Sequence, residues 1–110
     1  METYTVRWTH LAELDLASII EYIQHDRPEI AKEIFVEIRE TCADLAYFPQ
    51  RKRVVPELQH IGIIKYREVL YKRWRIVFSL HASTVDVLLV ADSRQNLEDI
   101  LLRRLLKETP

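Results

Sequence analysis

The segment YREVLYKRWRIVF, residues 66–78, interleaves aromatic side chains with positive charges. Arginines bind phosphates or carboxylates and aromatic rings stack on nucleic-acid bases, so the segment is compatible with a nucleic-acid surface. It is equally compatible with an ordinary β-hairpin whose outer face is solvated or covered by a partner protein. The basic side chains that could bind a partner are Lys65, which directly precedes the segment, and within it Arg67, Lys72, Arg73 and Arg75.

Positive charge is concentrated in the middle of a nearly neutral chain. Residues 1–50 hold 4 basic and 10 acidic residues, residues 51–75 hold 8 basic and 2 acidic, and residues 76–110 hold 4 basic and 5 acidic. The basic band can attract an anionic partner, but the acidic half weakens long-range attraction to a polyanion such as RNA. The distribution therefore favours a specific partner over a generic one.

Residue types that several other chemistries require are scarce. The single glycine, Gly62, argues against the glycine-rich loops that cradle phosphates and dinucleotides. The four histidines are scattered without metal-ligand spacing, so we expect neither a metal site nor a cofactor. Cys42, the one cysteine, falls on an apolar helical stripe and is expected to be a core residue rather than a reactive thiol.

Length and hydropathy limit the architecture. A chain of 110 residues suffices for one hydrophobic core, so residues 1–110 are expected to form a single domain. The sequence has no apolar run of about 18 residues, and its N-terminus lacks the basic and apolar regions of a signal peptide. We therefore expect a cytoplasmic protein that does not interact with membranes.

The N-terminal half predicts a strand followed by a helical hairpin. Residues 3–8 alternate between polar and apolar side chains, as in a strand with one buried face. Thr9 can cap a first helix, whose apolar residues recur at three- and four-residue spacing. A second helix begins near Pro28 and ends at the helix-breaking pair Phe48-Pro49, which implies two antiparallel helices that cover an apolar surface.

The C-terminal half predicts three strands and a helix. Residues 50–62 form a basic connection broken by Pro56 and are expected to be a loop. The strands that follow are rich in β-branched and aromatic residues and are joined by short links, which predicts an antiparallel meander. They span residues 64–70, 74–81 and 85–92. A final helix, capped by Asp92 or Ser93, is expected to pack on the second face of the last strand.

Alternation along the strands assigns their faces. Trp74 and Ile76 are expected to face the main core, while Arg75 faces the opposite side of the sheet. The last strand is expected to place on one side Val85, Val87, Leu89 and Ala91. The prediction is an α+β fold with an antiparallel sheet, an N-terminal helical hairpin and a C-terminal helix, in the order β-α-α-β-β-β-α.

Four segments, taken in their order and spacing, connect the chain to a known family. They are VRWTHLAELDLASIIEYI, YFPQRKRVVPEL, YREVLYKRWRIVF and VLLVADSRQNL. Together they resemble the RelE/ParE superfamily of toxins from type II toxin-antitoxin modules, often described as plasmid stabilisation proteins, and they are closer to the ParE branch. The resemblance covers nearly the whole chain. It implies an antitoxin whose tail wraps the toxin, and growth arrest when the toxin is free.

The two branches of this superfamily share a fold but not a chemistry. The ParE branch is known for poisoning DNA gyrase, whereas the RelE branch cuts messenger RNA in the ribosome. By resemblance, Arg75 in WRI matches the family's strand arginine, Arg94 in ADSRQN matches the arginine after the last strand, and Arg67 falls where a basic residue is common. These three would be the catalytic residues of a ribonuclease, and Arg94 joins the residues that could bind an antitoxin or a target.

Groups able to transfer protons are poorly represented. Many relatives have a histidine just before the last arginine, where this chain has Ala91-Asp92-Ser93. Arginine is a poor general base because it does not readily lose its proton, so Tyr66, Tyr71 or His81 would have to take part. The ribonuclease interpretation is weakened by this departure from the family pattern.

Three interpretations of Arg67 and Arg75 follow. They could form intramolecular pairs, for example with Glu68 or Asp86, they could contact an acidic antitoxin tail, or they could contact the target or RNA. We favour a ParE-like toxin that binds a protein target, with DNA gyrase as the candidate, and that a cognate antitoxin neutralises. The alternatives are a RelE-like endoribonuclease acting on the ribosome and messenger RNA, and a toxin-fold protein that has lost toxicity.

Overall fold

A computed structural model of the chain describes the backbone of residues 3–108 and the side chains of residues 3–104. The α-helices and β-strands, in chain order, are β1 (Thr5–Trp8), α1 (His10–Asp26), α2 (Pro28–Ala43), β2 (Arg53–Val54), α3 (Pro56–Gln59), β3 (Tyr66–Tyr71), β4 (Trp74–His81), β5 (Thr84–Asp92) and α4 (Leu97–Glu108). The α+β class and the predicted order are confirmed, with β2 and α3 as additions. Among the described helices, none is long and apolar enough to cross a membrane.

The basic connection contains the two added elements and is not simply a loop, as its sequence suggested. Arg53 and Val54 pair with β3, and the N–H of Val55 donates to the carbonyl of Tyr66 at 3.0 Å. Pro56 then begins α3, because proline fits the first turn of a helix, where its missing N–H needs no partner. The prediction failed because a two-residue strand and a one-turn helix are too short to show periodicity.

The five strands form one sheet in the order β1-β5-β4-β3-β2. The meander β3-β4-β5 is antiparallel, as predicted, but β1 lies parallel to β5, which makes the sheet mixed. Alternating polarity reveals a buried face and not a strand direction. Because β1 and β5 are separated by most of the chain, their connection is long enough for parallel pairing.

The helical hairpin covers one face of the sheet. The hydroxyl of Thr9 accepts the N–H of Ala12 at 3.2 Å and α2 begins at Pro28, so both predicted helix starts are confirmed. The core on this face contains Ala12, Leu16, Ile34, Ile38, Cys42, Trp74, Ile76, Val87 and Val90. Burial raises the pKa of the Cys42 thiol to about 12, so this side chain stays protonated in the core.

Helices α3 and α4 cover the opposite face, where the sequence predicted a final helix. The core there contains Val55, Leu58, Tyr66, Val77, Leu89, Ala91, Leu97 and Leu101. A bulge in β5 divides its residues between the two faces: Leu89 pairs with Val77 and Val87 with Phe78, so Leu88 is an extra residue. The prediction that Val87 and Leu89 share a side is therefore wrong, because a bulge shifts the alternation by one residue.

Asp15 and Arg104 connect both helical layers to β5 beyond the end of β1. One carboxylate oxygen of Asp15 accepts the backbone N–H of Val90 at 3.0 Å, and the other accepts Nη2 of Arg104 at 2.9 Å. Arg104 also donates through Nη1 to the carbonyl of Leu88. Helices α1 and α4 are thereby joined to the same stretch of β5.

The turn between β4 and β5 carries Ala82 at a φ of 55°, in the left-handed region that disfavours a side chain. Ala82→Gly is expected to raise the free energy of unfolding by about 0.5 to 1 kcal/mol, because glycine relieves the Cβ clash at a smaller entropic cost. Urea denaturation measures the change. Ser83→Gly is the control, because Ser83 lacks the positive φ and should lose stability. Equal effects of the two variants would contradict this account.

Candidate functional site

An open cleft lies between α1 and the C-terminal end of β5, and we refer to it as the edge cleft. It has a volume of about 870 Å³. Its lining residues come from α1, from the turn between β3 and β4, from the start of β4, from β5 and from the segment after β5. They are Asp15, Ser18, Ile19, Tyr22, Arg73, Trp74, Val90, Asp92, Arg94 and Gln95. Two residues predicted from the sequence, Arg73 and Arg94, thus line one cleft.

A second hollow, the hairpin pocket, adjoins the edge cleft and shares Tyr22, Arg73 and Trp74 with it. It has a volume of about 360 Å³ and is more apolar than the edge cleft. Its remaining lining residues are Ile23, Asp26, Arg27, Ile30, Ile34 and Lys72. Tyr22 is 75% exposed although it borders both hollows, so its ring is available to a bound molecule. The two hollows form one amphipathic surface with several positive charges.

Asp92 sets the charge of the edge cleft. Its carboxylate accepts Nε and Nη2 of Arg94 at 3.0 and 2.9 Å, and Nε of Arg73 lies 3.4 Å away. Hydrogen bonds from Arg94 are the largest cause that lowers the pKa of Asp92, to about 2. Two guanidinium groups therefore share one ionised carboxylate, and Asp15, which also lines the cleft, is paired with Arg104, so a net positive charge remains for an acidic partner.

The β3–β4 turn holds its cations over aromatic rings. The Arg73 guanidinium lies 4.8 Å from the ring centre of Trp74, and the Lys72 ammonium lies 5.5 Å from that of Tyr71. The Tyr71 hydroxyl donates to Glu37 at 2.7 Å. Burial, followed by this hydrogen bond, raises the pKa of Tyr71 to about 12. Tyr71 is therefore held as a neutral phenol and is poorly suited to act as a general base at neutral pH.

Arg75 lies on the other face of the sheet, in an ion cluster with Arg53, Glu57 and Glu68, of which Arg75 and Glu68 are buried and Arg53 is exposed. Its Nε donates to Glu68 at 2.7 Å, and its two terminal nitrogens donate to the two carboxylate oxygens of Glu57. Arg53 donates to the second oxygen of Glu68 at 2.6 Å. Arg75 is only 7% exposed and Glu68 is buried. The two arginines are thus balanced by two carboxylates inside the chain.

The intramolecular pair with Glu68 is therefore the interpretation of Arg75 that the contacts support. The other candidate partner, Asp86, pairs instead with Arg7 at 3.1 Å. The hydrogen bonds that Arg75 donates to Glu57 are the largest of the effects that raise the pKa of Arg75 above its usual range. A guanidinium held in this way is not free to bind a phosphate, and it stays protonated at neutral pH.

Arg67 and Lys65 lie apart from the edge cleft. Arg67 pairs with Phe78 across the sheet and donates from Nη1 to the carbonyl of Lys52 at 2.6 Å, so it lies on the face opposite Arg75. Lys65 is exposed, with its ammonium 5.3 Å from the ring centre of Tyr66. Arg67, Arg75 and Arg94 therefore do not share one surface.

The sequence did not predict several residues that line the edge cleft. Asp15, Ser18 and Tyr22 are spaced three and four residues apart, so they share a face of α1 beside its apolar stripe. That spacing is visible in the sequence, but nothing in it shows that this face borders β5. Among the described residues, no group of three or more His, Cys, Asp and Glu side chains is arranged to hold a metal ion.

Comparison with known proteins identifies relatives of the chain. Residues 6–97 match a family model described as ParE toxin of type II toxin-antitoxin system, parDE. A chain of the chromosomal ParDE toxin-antitoxin system from P. aeruginosa is similar in structure, with a TM-score of 0.69 at 17% sequence identity, over 82% of this chain and 96% of that one. No curated protein matches the sequence.

A second solved structure is similar to the chain as well. It is the toxin-antitoxin complex RelBE2 from Mycobacterium tuberculosis, one chain of which aligns with a TM-score of 0.57 at 25% identity. The alignment covers 82% of this chain and 98% of that one. The fold is thus found in solved structures from both the ParE and RelE branches.

Arg75→Ala is expected to lower the free energy of unfolding by about 1.5 to 3 kcal/mol, because the buried carboxylate of Glu68 loses the hydrogen bonds of Arg75 and keeps only Arg53 as a charged partner. Urea denaturation tests this expectation. Arg73→Ala, which removes an exposed arginine two residues earlier, should cost less than about 1 kcal/mol. A similar loss of stability in both variants would mean that the ion cluster around Glu68 does not stabilise the fold.

Asp92 should make the stability of the chain depend on acidity. Its pKa falls from 3.8 to about 2 in the folded chain, so its ionised form stabilises the fold above pH 3.8, and this contribution is lost as the pH falls towards 2. Asp92→Asn should therefore be less stable than the wild type near neutral pH and equally stable near pH 2. Urea denaturation across this pH range tests the expectation, and a difference that is constant with pH would contradict it.

Proposed function

We propose that this chain, which belongs to the family of ParE toxins of type II toxin-antitoxin systems, arrests growth by binding a protein target and is neutralised by a cognate antitoxin. The proposed target is DNA gyrase and the proposed location is the cytoplasm, where gyrase acts. Two structurally similar proteins come from toxin-antitoxin systems, which supports an antitoxin as partner. The chain acts here as an inhibitor and not as an enzyme.

The main observation behind the proposal is that Arg75 is buried and bound to two carboxylates. A ribonuclease needs a free cation beside the phosphate and groups that move protons to and from the ribose and the leaving oxygen. Arg75 is buried and bound to Glu57 and Glu68, and Arg67 lies on the other face of the sheet. The elevated pKa of Tyr71 removes one candidate base. These features favour binding over RNA cleavage.

The edge cleft and the hairpin pocket are the surface that we propose for the antitoxin. Arg73 and Arg94 share one carboxylate, and Lys72 adds a further charge beside the apolar pocket. An extended acidic segment with a bulky apolar side chain would match this combination, because the arginines bind carboxylates and the pocket takes the apolar group. Lys65 and Arg67 remain predicted contacts of an antitoxin or a target, outside this surface.

A RelE-like, ribosome-dependent endoribonuclease is the second candidate. The observation in its favour is the similarity to the RelBE2 complex at 25% identity, which exceeds the identity to the ParDE chain. This alternative requires Arg75 to leave its two carboxylates before it can reach a phosphate. A toxin fold that has lost toxicity is the third possibility, and it predicts no growth arrest.

The purified chain should inhibit supercoiling by DNA gyrase and leave messenger RNA on translating ribosomes intact. Both assays are run on one preparation, together with circular dichroism that establishes folding. Unchanged supercoiling at saturating folded protein, accompanied by codon-positioned cuts in the RNA, would reject the proposal in favour of the endoribonuclease. Absence of both activities, together with normal growth on expression, would indicate a fold without toxicity.

A further inference from the structure

The connection between α2 and β2 presents an exposed aromatic corner, formed by Tyr47, Phe48 and Arg51. Tyr47 is 53% exposed and Phe48 is 39% exposed. The Arg51 guanidinium lies 4.2 Å from the centre of the Phe48 ring. None of the three lines the edge cleft or the hairpin pocket. Tyrosine and arginine are enriched among the residues that dominate the binding energy of protein interfaces.

The corner is held rigidly by the chain around it. Leu45 and Pro49 are buried on either side of the two aromatic residues. The carbonyl of Ala46 accepts the N–H of Tyr4 at 2.8 Å, and the carbonyl of Lys52 accepts Nη1 of Arg67 at 2.6 Å. A surface fixed before binding loses little conformational entropy when a partner binds. The corner is therefore preorganised.

The backbone of Phe48 is in a conformation that its side chain disfavours. Its φ and ψ are 52° and 47°, in the left-handed region, and it precedes a proline, which disfavours this region further. Lys72 and Ala82 share a positive φ, but both lie in two-residue hairpin turns, where such backbone is common. Glycine would fit the Phe48 position with less strain. The bulky ring at this position points to a role for the side chain itself.

The connection that carries the corner has more positive than negative charge, with Arg51 and Lys52 against Asp44. In the part of the chain that the structure describes, the ion pairs occupy Arg53 and Arg75 but include neither Arg51, Lys52 nor Arg67. Arg51 and Lys52 therefore bring unpaired positive charge close to Tyr47 and Phe48 along the chain, and Arg67 is bound to the carbonyl of Lys52. An acidic surface is the complementary one, and long-range attraction would guide its approach.

We propose that the aromatic corner is the surface with which the chain binds its protein target, and that the target offers an apolar recess bordered by carboxylates. This inference rests on the proposed function, because it supposes a protein target distinct from the antitoxin. A rigid projecting corner suits a recess in a folded protein, whereas the concave edge cleft and hairpin pocket suit a flexible tail. The two partners are thereby assigned to different parts of the surface.

Phe48→Gly separates binding from folding at this position. Glycine removes the ring but accommodates the left-handed backbone, so the melting temperature should stay within about 5 °C of the wild type. Arg51→Glu reverses the charge of an exposed side chain and should also leave the fold intact. Each variant is expressed in growing bacteria at a matched level. Both should lose growth arrest, and in the gyrase assay the half-inhibitory concentration should rise at least about tenfold.

Two controls match these changes elsewhere on the chain. Ala82→Gly places glycine at another left-handed position, and Lys32→Glu reverses an exposed charge on α2. Both should arrest growth like the wild type. If Phe48→Gly does not fold, Arg51→Glu decides the outcome, because the latter leaves the strained backbone unchanged.

The possible outcomes distinguish this inference from the proposed function. Growth arrest by the wild type, the controls and both corner variants would overturn the inference and leave the proposed function standing. If the wild type does not arrest growth, the proposed function is refuted, and so is the proposal that the corner binds a target. A shift from dimer to monomer on sedimentation of either corner variant would show that a second copy of the chain occupies the corner, which also overturns the inference.

Discussion

The attachment of β2 and α3 to the sheet depends on the pairing of Arg75 with Glu68. A buried carboxylate is costly unless it is paired and hydrogen-bonded, and here the pair draws in one partner from β2 and one from α3. The short strand and the single helical turn are thus attached to the sheet by charge as well as by Val55 and Leu58. The same pairing leaves Arg75 without a free guanidinium for a ligand, so one contact both stabilises the fold and limits what this side chain can do.

The elements that span several periods were predictable from the sequence, and the short ones were not. Repeated apolar spacing revealed α1, α2 and the meander, while Thr9 and Pro28 marked where helices begin because their capping chemistry is local. The parallel pairing of β1 and the extra residue Leu88 depend on contacts between distant parts of the chain. A strand that reads as regular in the sequence can therefore contain a bulge that changes which side chains meet.

The candidate site was predictable in its residue types but not in its grouping. Arg73 and Arg94 meet around Asp92 because the β3–β4 turn and the end of β5 are neighbours in the sheet. Within the band 51–75, Arg53 and Arg75 are paired with Glu57 and Glu68, its two acidic residues, so the excess charge of the band belongs to its other basic residues. Charge counts locate a basic segment, whereas pairing determines how much of that charge reaches solvent.

The hydrogen bonds of Asp15 and Arg104 to β5 also affect the tendency of the chain to aggregate when no partner is bound. Beyond β1, the edge of β5 would otherwise have unpaired backbone groups that could pair with a strand of another chain, and such pairing leads to aggregation. The side chains of Asp15 and Arg104 already occupy the N–H of Val90 and the carbonyl of Leu88. These two side chains therefore remove one route by which the chain, when it is free of a partner, could aggregate.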